Sequence, residues 1–313
     1  MFLWTRGNIT MADAANARFR RLRLPRLSLK DMSPKPQPRP GLAETDPTYF
    51  RAEPVSFVRR GERMTNAQQR VWDTLRDTIL IDVPRHHAAT SIHPDANIDV
   101  PSHFPHPERP LIVEIGTGLG EAIAHAAHNN PETNFLAVEV YTPGLAKLME
   151  RIEKLELDNV RAIQANAPEV LDVALAPESV NELWIFFSDP WHKTKHHKRR
   201  LITDAFAERA ARVLKPGGTW RLATDWSNYA EQMRDVIDDS PHFENLHAGE
   251  RSGEESPLTA IRRIDAEKHE ADPEFTDTHG GWAPRFEGRT LTSFEAKAHK
   301  VGRKIFDLTA RKI

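Results

Sequence analysis

The sequence predicts an α/β fold: a doubly wound, mostly parallel sheet with helices on both faces. Three observations carry that expectation. Short apolar runs alternate with stretches of helical periodicity from Leu111 to Thr224. The first run, Leu111-Ile112-Val113-Glu114-Ile115, enters Gly116-Thr117-Gly118-Leu119-Gly120, and an Ala-rich helical stretch follows from Glu121 to Ala127. A second run, Asn134 to Glu139, ends in an acid 25 residues beyond Glu114. Strand, glycine turn, helix and acid-ended strand form the start of a nucleotide-binding βαβ unit. Glycine is needed there because the backbone turns through positive φ or comes close to a ligand.

Residues 1 to about 50 read as a basic, Pro-rich, disordered tail. Arg18 to Pro40 holds eight Lys/Arg against one acid, Asp31, and such a segment cannot bury enough apolar surface to offset its ordering entropy. One domain is expected from 51 to 313. In its entry segment, 55–83, Thr65 or Asn66 can cap a helix from Ala67 to about Leu80, with Val71, Leu75 and Ile79 on one face. Arg59, Arg60, Arg63 and Arg70 offer a group that could face an anion. Residues 84–109, rich in Pro and His, read as a surface loop.

Beyond strand two, Pro143 to Leu155 reads as a helix and Asn159 to Ala167 as strand three with a polar end. Glu182 to Phe187 reads as strand four, ending in Ser188-Asp189-Pro190-Trp191. A helix from Asp204 to Leu214 stops at Lys215-Pro216-Gly217-Gly218, ahead of strand five, Thr219 to Thr224. Residues 248–290 are charged and poor in apolar side chains, and read as a long loop or partly disordered insertion on the substrate side. Leu291 to Lys300 looks like a short capped helix before a last strand near Lys304–Thr309.

Composition narrows the chemistry. The 313 residues carry 43 Lys/Arg against 45 Asp/Glu, so only local clustering can argue for a nucleic-acid partner. Cysteine is absent, which removes disulfides, thiolate metal sites and a thiol nucleophile. No apolar run approaches the length of a membrane span, so no membrane partner and a cytoplasmic location are expected.

In doubly wound sheets ligands bind outside the carboxyl ends of the strands, where the candidate residues fall. Gly116 and Gly118 would cradle a nucleotide. A carboxylate at Glu139 can accept both ribose hydroxyls of an adenine nucleoside, a feature shared by NAD and S-adenosylmethionine sites. Asn166 is placed to meet an adenine edge. Ser188-Asp189-Pro190-Trp191 sets an acceptor and a flat ring beside the reactive end of a cofactor, as in amino-methyltransferases and unlike dehydrogenases. Five Lys/Arg and three His then crowd into His192 to Arg200, suiting a phosphate backbone with a stacked base.

Val113 to Gly120, Phe187 to Lys193 with Lys198-Arg199-Arg200, Ala223-Thr224-Asp225-Trp226 and Leu291 to Glu295 together resemble the bacterial tRNA (guanine-N7-)-methyltransferase family. Ser56 to Gln68 also resembles that family's entry segment. The resemblance implies a Rossmann-like class I methyltransferase fold, S-adenosylmethionine as methyl donor, and tRNA as partner. It puts Glu114, Glu139, Asn166 and Asp189 at cofactor-contacting positions. Lys193, Asp225, Thr292, Ser293, Phe294 and Glu295 fall at substrate-contacting positions, and Asp189 also at the catalytic one. Many members carry Asp where this chain has Asn166, and Pro where it has Ser188. The tail, the His-rich loop and the insertion near 250–290 have no counterpart placed by the resemblance.

The implied reaction, methyl transfer to N7 of a guanine, needs neither metal nor general base, because that nitrogen has a free lone pair. Asp225 and Glu295 could accept from N1–H and N2–H₂ of guanine, a pattern adenine lacks. The rival readings are a methyltransferase for protein or small molecules, a nicotinamide-dependent dehydrogenase, and a non-catalytic RNA-binding protein. The basic block disfavours the first, the Asp-Pro-Trp loop the second, and the intact glycines with Glu139 and Asp189 the third.

Overall fold

Side chains on the central strands alternate between two apolar layers, which is what helices on both faces require. Val113, Ile115, Leu136, Val138, Leu183 and Ile185 point into one layer. Ile112, Phe135, Ala137, Trp184 and Phe186 point into the other. The computed structural model describes residues 63–264, 272 and 274–313. The expected tail, the first part of the entry segment and the arginines at 59 and 60 lie outside the described residues.

The described strands are β1 (Leu111–Ile115), β2 (Asn134–Val138), β3 (Val160–Ile163), β4 (Val180–Phe186), β5 (Leu214–Thr224), β6 (Phe243–Asn245) and β7 (Phe306–Lys312). They form one sheet in the order β3-β2-β1-β4-β5-β7-β6. The first five are parallel, while β7 runs antiparallel to both β5 and β6. Helices α1 (Asn66–Ile79), α2 (Glu121–Asn129) and α3 (Thr142–Leu155) cover one face. The other face is covered by α5 (Asp204–Val213) and α6 (Ser227–Asp238), which follow the one-turn helix α4 (Ala167–Glu169) in the chain. The strand order reverses between β1 and β4, so the ligand crevice of this topology opens beyond their carboxyl ends.

Local chemistry sets the element ends. Thr65 caps α1 in a full capping box with Gln68, and Val71 and Ile79 are buried along one face. Buried alanines at 122, 124, 126 and 127 let α2 lie close on the sheet. The helix ahead of the Pro/Gly stretch ends at Val213 as expected, but the stretch itself bulges from within β5, which starts at Leu214 rather than Thr219. The register passes from Val180↔Leu214 to Glu182↔Thr219, and Gly217 takes φ +74° to make the turn.

Two other expectations are corrected. Residues 248–290 are not a loose loop over their described part. They form helix α7 (Pro257–Arg263), bury Leu258, Ile261 and Trp282, and close on Asp277. The Asp277 carboxylate accepts from Ser256 Oγ (2.6 Å), Trp282 Nε1 (2.8 Å) and Arg234 Nη1 (3.3 Å). Most described charged residues of the stretch are exposed as expected, but Asp277 is buried in this network with Arg234 of α6. Residues 84–109 are irregular as expected, but Ser91, Ile92, Val100 and Phe104 are buried. Ile92, Val100 and Phe104 join the apolar layer on one face of the sheet, so the stretch does not lie wholly on the surface.

Candidate active site

The glycine turn joins β1 to α2 with Gly116 at φ +73° and Gly118 at φ +59°, both in the region L side chains disfavour. A Cβ on Gly118 would sit 3.6 Å from the Phe294 ring, so the turn is roofed by α8 (Ser293–Lys300). Gly144 in α3 approaches the Gly118 carbonyl so closely that no Cβ fits. Its place in the first turn of a helix gave no sequence signal for that role.

Glu139 follows β2 and is half-buried. It accepts from the N–H groups of Gly118 (2.7 Å), Val140 (2.7 Å) and Tyr141 (3.0 Å). Burial raises its pKa, the three N–H bonds oppose that rise, and the charge of Asp189 adds to it. Glu114, within β1, is buried. Burial and then the neighbouring Glu139 push its pKa up to about 8, against the Ile123 backbone bond and the Arg289 charge. Its Oε2 has no partner among the described residues, and neither does Oδ1 of the buried Asn166 that follows β3.

A buried acceptor without a donor is costly and points to a ligand that supplies one. S-adenosylmethionine fits these groups. Its ribose hydroxyls, ammonium group and adenine amine are donors, and Glu139, Glu114 and Asn166 are acceptors along the three strand ends.

A pH dependence follows from Glu114. Its folded-state pKa of about 8 lies above the ordinary 4.5. Its contribution to stability is therefore fully present below about 4.5 and is lost as pH rises through about 8. Without cofactor, melting temperature is expected to fall between pH 6 and 9, and Glu114→Gln should remove most of that fall while weakening S-adenosylhomocysteine binding. Parallel melting curves for the two proteins would refute the assignment.

Across the crevice, Asp189 is exposed on the loop that follows β4. The loop is bracketed by Phe187 at φ +56° and Trp191 at φ +47°, sparsely populated for bulky residues. Phe187 N–H donates to the Ala223 carbonyl (2.8 Å), and Ser188 Oγ donates to Tyr229 Oη (3.3 Å). Arg200 Nε donates to the Pro190 carbonyl (2.8 Å), while its other nitrogens reach Gln232 (2.8 Å) and Asn228 (2.8 Å) of α6. Tyr229 and Arg200 thus hold the strained loop to α6.

Arg200 is therefore not a surface phosphate contact: its side chain is buried, with its guanidinium over the Tyr229 ring. The rest of the basic block differs. Lys193, Lys195, Lys198 and Arg199 are exposed on or beside the short 3-10 helix Thr194–Arg199, and Arg199 stacks over Trp191. Replacing Lys198 and Arg199 together by Ala is expected to flatten the salt dependence of tRNA binding by up to ~1.8 log units, at ~0.9 per phosphate contact. Arg200→Ala should instead lower melting temperature. An unchanged salt slope in the double variant would remove these residues from the RNA interface.

Asp225, beyond β5, accepts from Arg303 Nη1 (2.9 Å), and the adjoining Trp226 ring meets His192 at 4.0 Å. Of the residues from Thr292 to Glu295, Phe294 alone is exposed. Thr292 caps α8 by accepting from Glu295 N–H (3.2 Å). Ser293 donates through N–H (2.8 Å) and Oγ (2.6 Å) to Glu121 in the first turn of α2. Glu295, expected on the guanine edge, is fully buried. Its carboxylate takes Arg285 Nε (2.6 Å) and Nη2 (2.9 Å) and Arg289 Nε and Nη2 (3.3 Å each). These arginine bonds hold its pKa below the ordinary value despite its burial. The sequence reading missed Arg289, which also pairs with Asp307 of β7. No local pattern marks a partner six residues before a helix acid and eighteen before a strand acid.

The order β3-β2-β1-β4-β5-β7-β6 with β7 antiparallel is that of the class I methyltransferase fold, and the Methyltransf_4 family model, a methyltransferase family, matches residues 108–308. The tRNA (guanine-N(7)-)-methyltransferase of Paenarthrobacter aurescens is 52% identical over 297 residues, spanning 90% of this chain and 98% of the relative. The like-named proteins of an Arthrobacter species and of Cutibacterium acnes are 52% and 39% identical, over 88% and 83% of this chain and 91% and 83% of their own length. The chain belongs to the tRNA (guanine-N(7)-)-methyltransferase family.

Proposed function

We propose that the protein transfers the methyl group of S-adenosylmethionine to N7 of a guanine in tRNA. The observation that carries this reading is the continuity of two features. The strained loop presenting Asp189 runs directly into the exposed cations of Lys193 to Arg199. An RNA backbone held on those cations brings a base to the acid.

Glu114, Glu139 and Asn166 hold the cofactor, with Gly116 and Gly118 leaving room for it. The bound cofactor supplies an electrophilic methyl on sulfur. Asp189 faces the growing positive charge of the purine and stabilises it electrostatically. No side chain removes a proton, because guanine N7 carries none.

Lys193 takes a phosphate, and Asp225 accepts from the N1–H and N2–H₂ edge of the guanine. Phe294 lies over the glycine turn as an apolar wall that excludes water from the transfer path. Thr292, Ser293 and Glu295 act through it: cap, anchor to Glu121 and buried ion pairs fix the start of α8. Among the described residues no helix is long and apolar enough to cross a membrane.

The test is incubation of the purified protein with bulk tRNA and a methyl-labelled donor, followed by nuclease digestion. Label in 7-methylguanosine is expected. Label confined to another nucleoside would refute the position, and label in protein rather than RNA would refute the substrate.

A further inference from the structure

The orientation of one amide at the base-binding end of the crevice is fixed by a residue outside it. Asn166 is 3% exposed. Its Nδ2 donates to Glu169 Oε1 (3.1 Å), and its Oδ1 has no partner among the described residues. A carboxylate only accepts, so the side of the amide that faces Glu169 must be its NH₂ and the other its oxygen. Glu169 is itself held, because its Oε2 accepts the Ile92 N–H (2.6 Å). The backbone N–H of Asn166 donates to the Thr90 carbonyl (2.8 Å). The stretch from Thr90 to Ile92 therefore braces both residues. Ser91 between them is fully buried and hydrogen-bonded to Ala88 and His87.

We propose that Glu169 is a positioning residue that locks the Asn166 amide with its oxygen toward the cofactor base, making the site select a base with an exocyclic amino group over one with a carbonyl in its place. This rests on the reading that Asn166 meets the cofactor's base. An aspartate at that position would present an acceptor in either orientation. Asparagine does so in only one, and Glu169 sets which. The His- and Pro-rich stretch thereby gains a role in cofactor recognition through Thr90 and Ile92.

The test compares two ligands, S-adenosylhomocysteine and S-inosylhomocysteine; in the second a carbonyl replaces the 6-amine and N1 carries a proton. A carbonyl there would face the Asn166 oxygen, acceptor against acceptor. The wild-type protein is expected to bind the adenosyl ligand ~10- to 100-fold more tightly, the range for leaving one buried polar group unpaired. In Glu169→Gln the new amide must keep its oxygen on the buried Ile92 N–H. Its NH₂ then faces Asn166, which turns over and presents Nδ2 to the base. The preference is expected to fall at least tenfold or reverse. Adding Asn166→Asp to Glu169→Gln should restore it, because either carboxylate oxygen accepts.

A purely structural role would weaken both ligands alike, so equal losses in Glu169→Gln would overturn the proposal. Equal affinity of the wild-type protein for the two ligands would overturn it whether or not any variant folds. If Asn166→Ala keeps the wild-type preference, Asn166 does not meet the base: the underlying cofactor reading fails there and takes the proposal with it, whereas loss of the preference in Asn166→Ala but not in Glu169→Gln overturns the role of Glu169 alone.

Discussion

Asp189→Asn is expected to lower kcat for tRNA methylation by ~10²–10³, the usual consequence of losing one pre-aimed electrostatic partner. The substitution keeps size and one acceptor oxygen, and replaces the charge and the other acceptor by a neutral NH₂ donor. Asp189 is exposed, and its loop is held by Phe187, Ser188 and Pro190 through bonds that do not involve its carboxylate. The fold should therefore survive. The charge matters most as N7 attacks, because positive charge grows on the purine only then, so kcat should fall more than tRNA binding weakens. Cofactor and tRNA affinities, measured separately by calorimetry and filter binding, distinguish this from a binding defect. Near-normal turnover at saturating substrates would remove Asp189 from the mechanism and leave positioning as the main catalytic effect.

The second large effect is expected at Arg289. Its side chain is fully buried between Glu295 of α8 and Asp307 of β7, beside the rings of Phe186 and Phe187. Asp307 raises its pKa through a hydrogen bond and charge, and Glu295 adds to this, outweighing the burial that alone would lower it. Arg289→Ala would leave two buried carboxylates short of their shared cation. Breaking a buried pair by removing one partner costs about 3–5 kcal/mol, which for a domain of this size lowers Tm by roughly 10 °C. The loss should be smaller at low pH, where protonation relieves the stranded carboxylates. Arg285 still holds Glu295, so Asp307 is the more exposed to the loss. A variant melting within a degree or two of wild type would show that the network does not anchor α8.

Much of the architecture was legible because it rests on local signals. Short apolar runs marked the parallel strands, three glycines the turn, Thr65 or Asn66 the start of a helix that the structure caps with Thr65, and Leu291 to Lys300 a short capped helix that the structure keeps as α8. Residues 248–290 were misread because they are charged and poor in apolar side chains, and only long-range pairing of Asp277 with Arg234 of α6 shows that part of that charge is buried. The three-residue β6 is too short for a periodic signal, and the antiparallel direction of β7 depends on pairing with β5.

At the site, residue identities were more legible than orientations. Arg200 reads as one more cation in a basic run, yet burial beside α6 makes it the clamp of the Asp189 loop. Glu295 reads as a base acceptor, yet Arg285 and Arg289, supplied by residues six to ten positions away, consume it. Burial and long-range pairing are properties of the assembled fold, and a linear sequence states neither.

The claim that methyl transfer goes directly to the unshared pair on N7 is tested most directly by tRNA transcribed with 7-deazaguanosine in place of guanosine. The replacement puts C–H where N7 stood and keeps the N1–H and N2–H₂ edge assigned to Asp225. Binding close to that of the matched guanosine transcript with no methyl incorporation is the expected result. Methylation of the deaza transcript at a rate comparable to the guanosine transcript would contradict it and place the acceptor elsewhere.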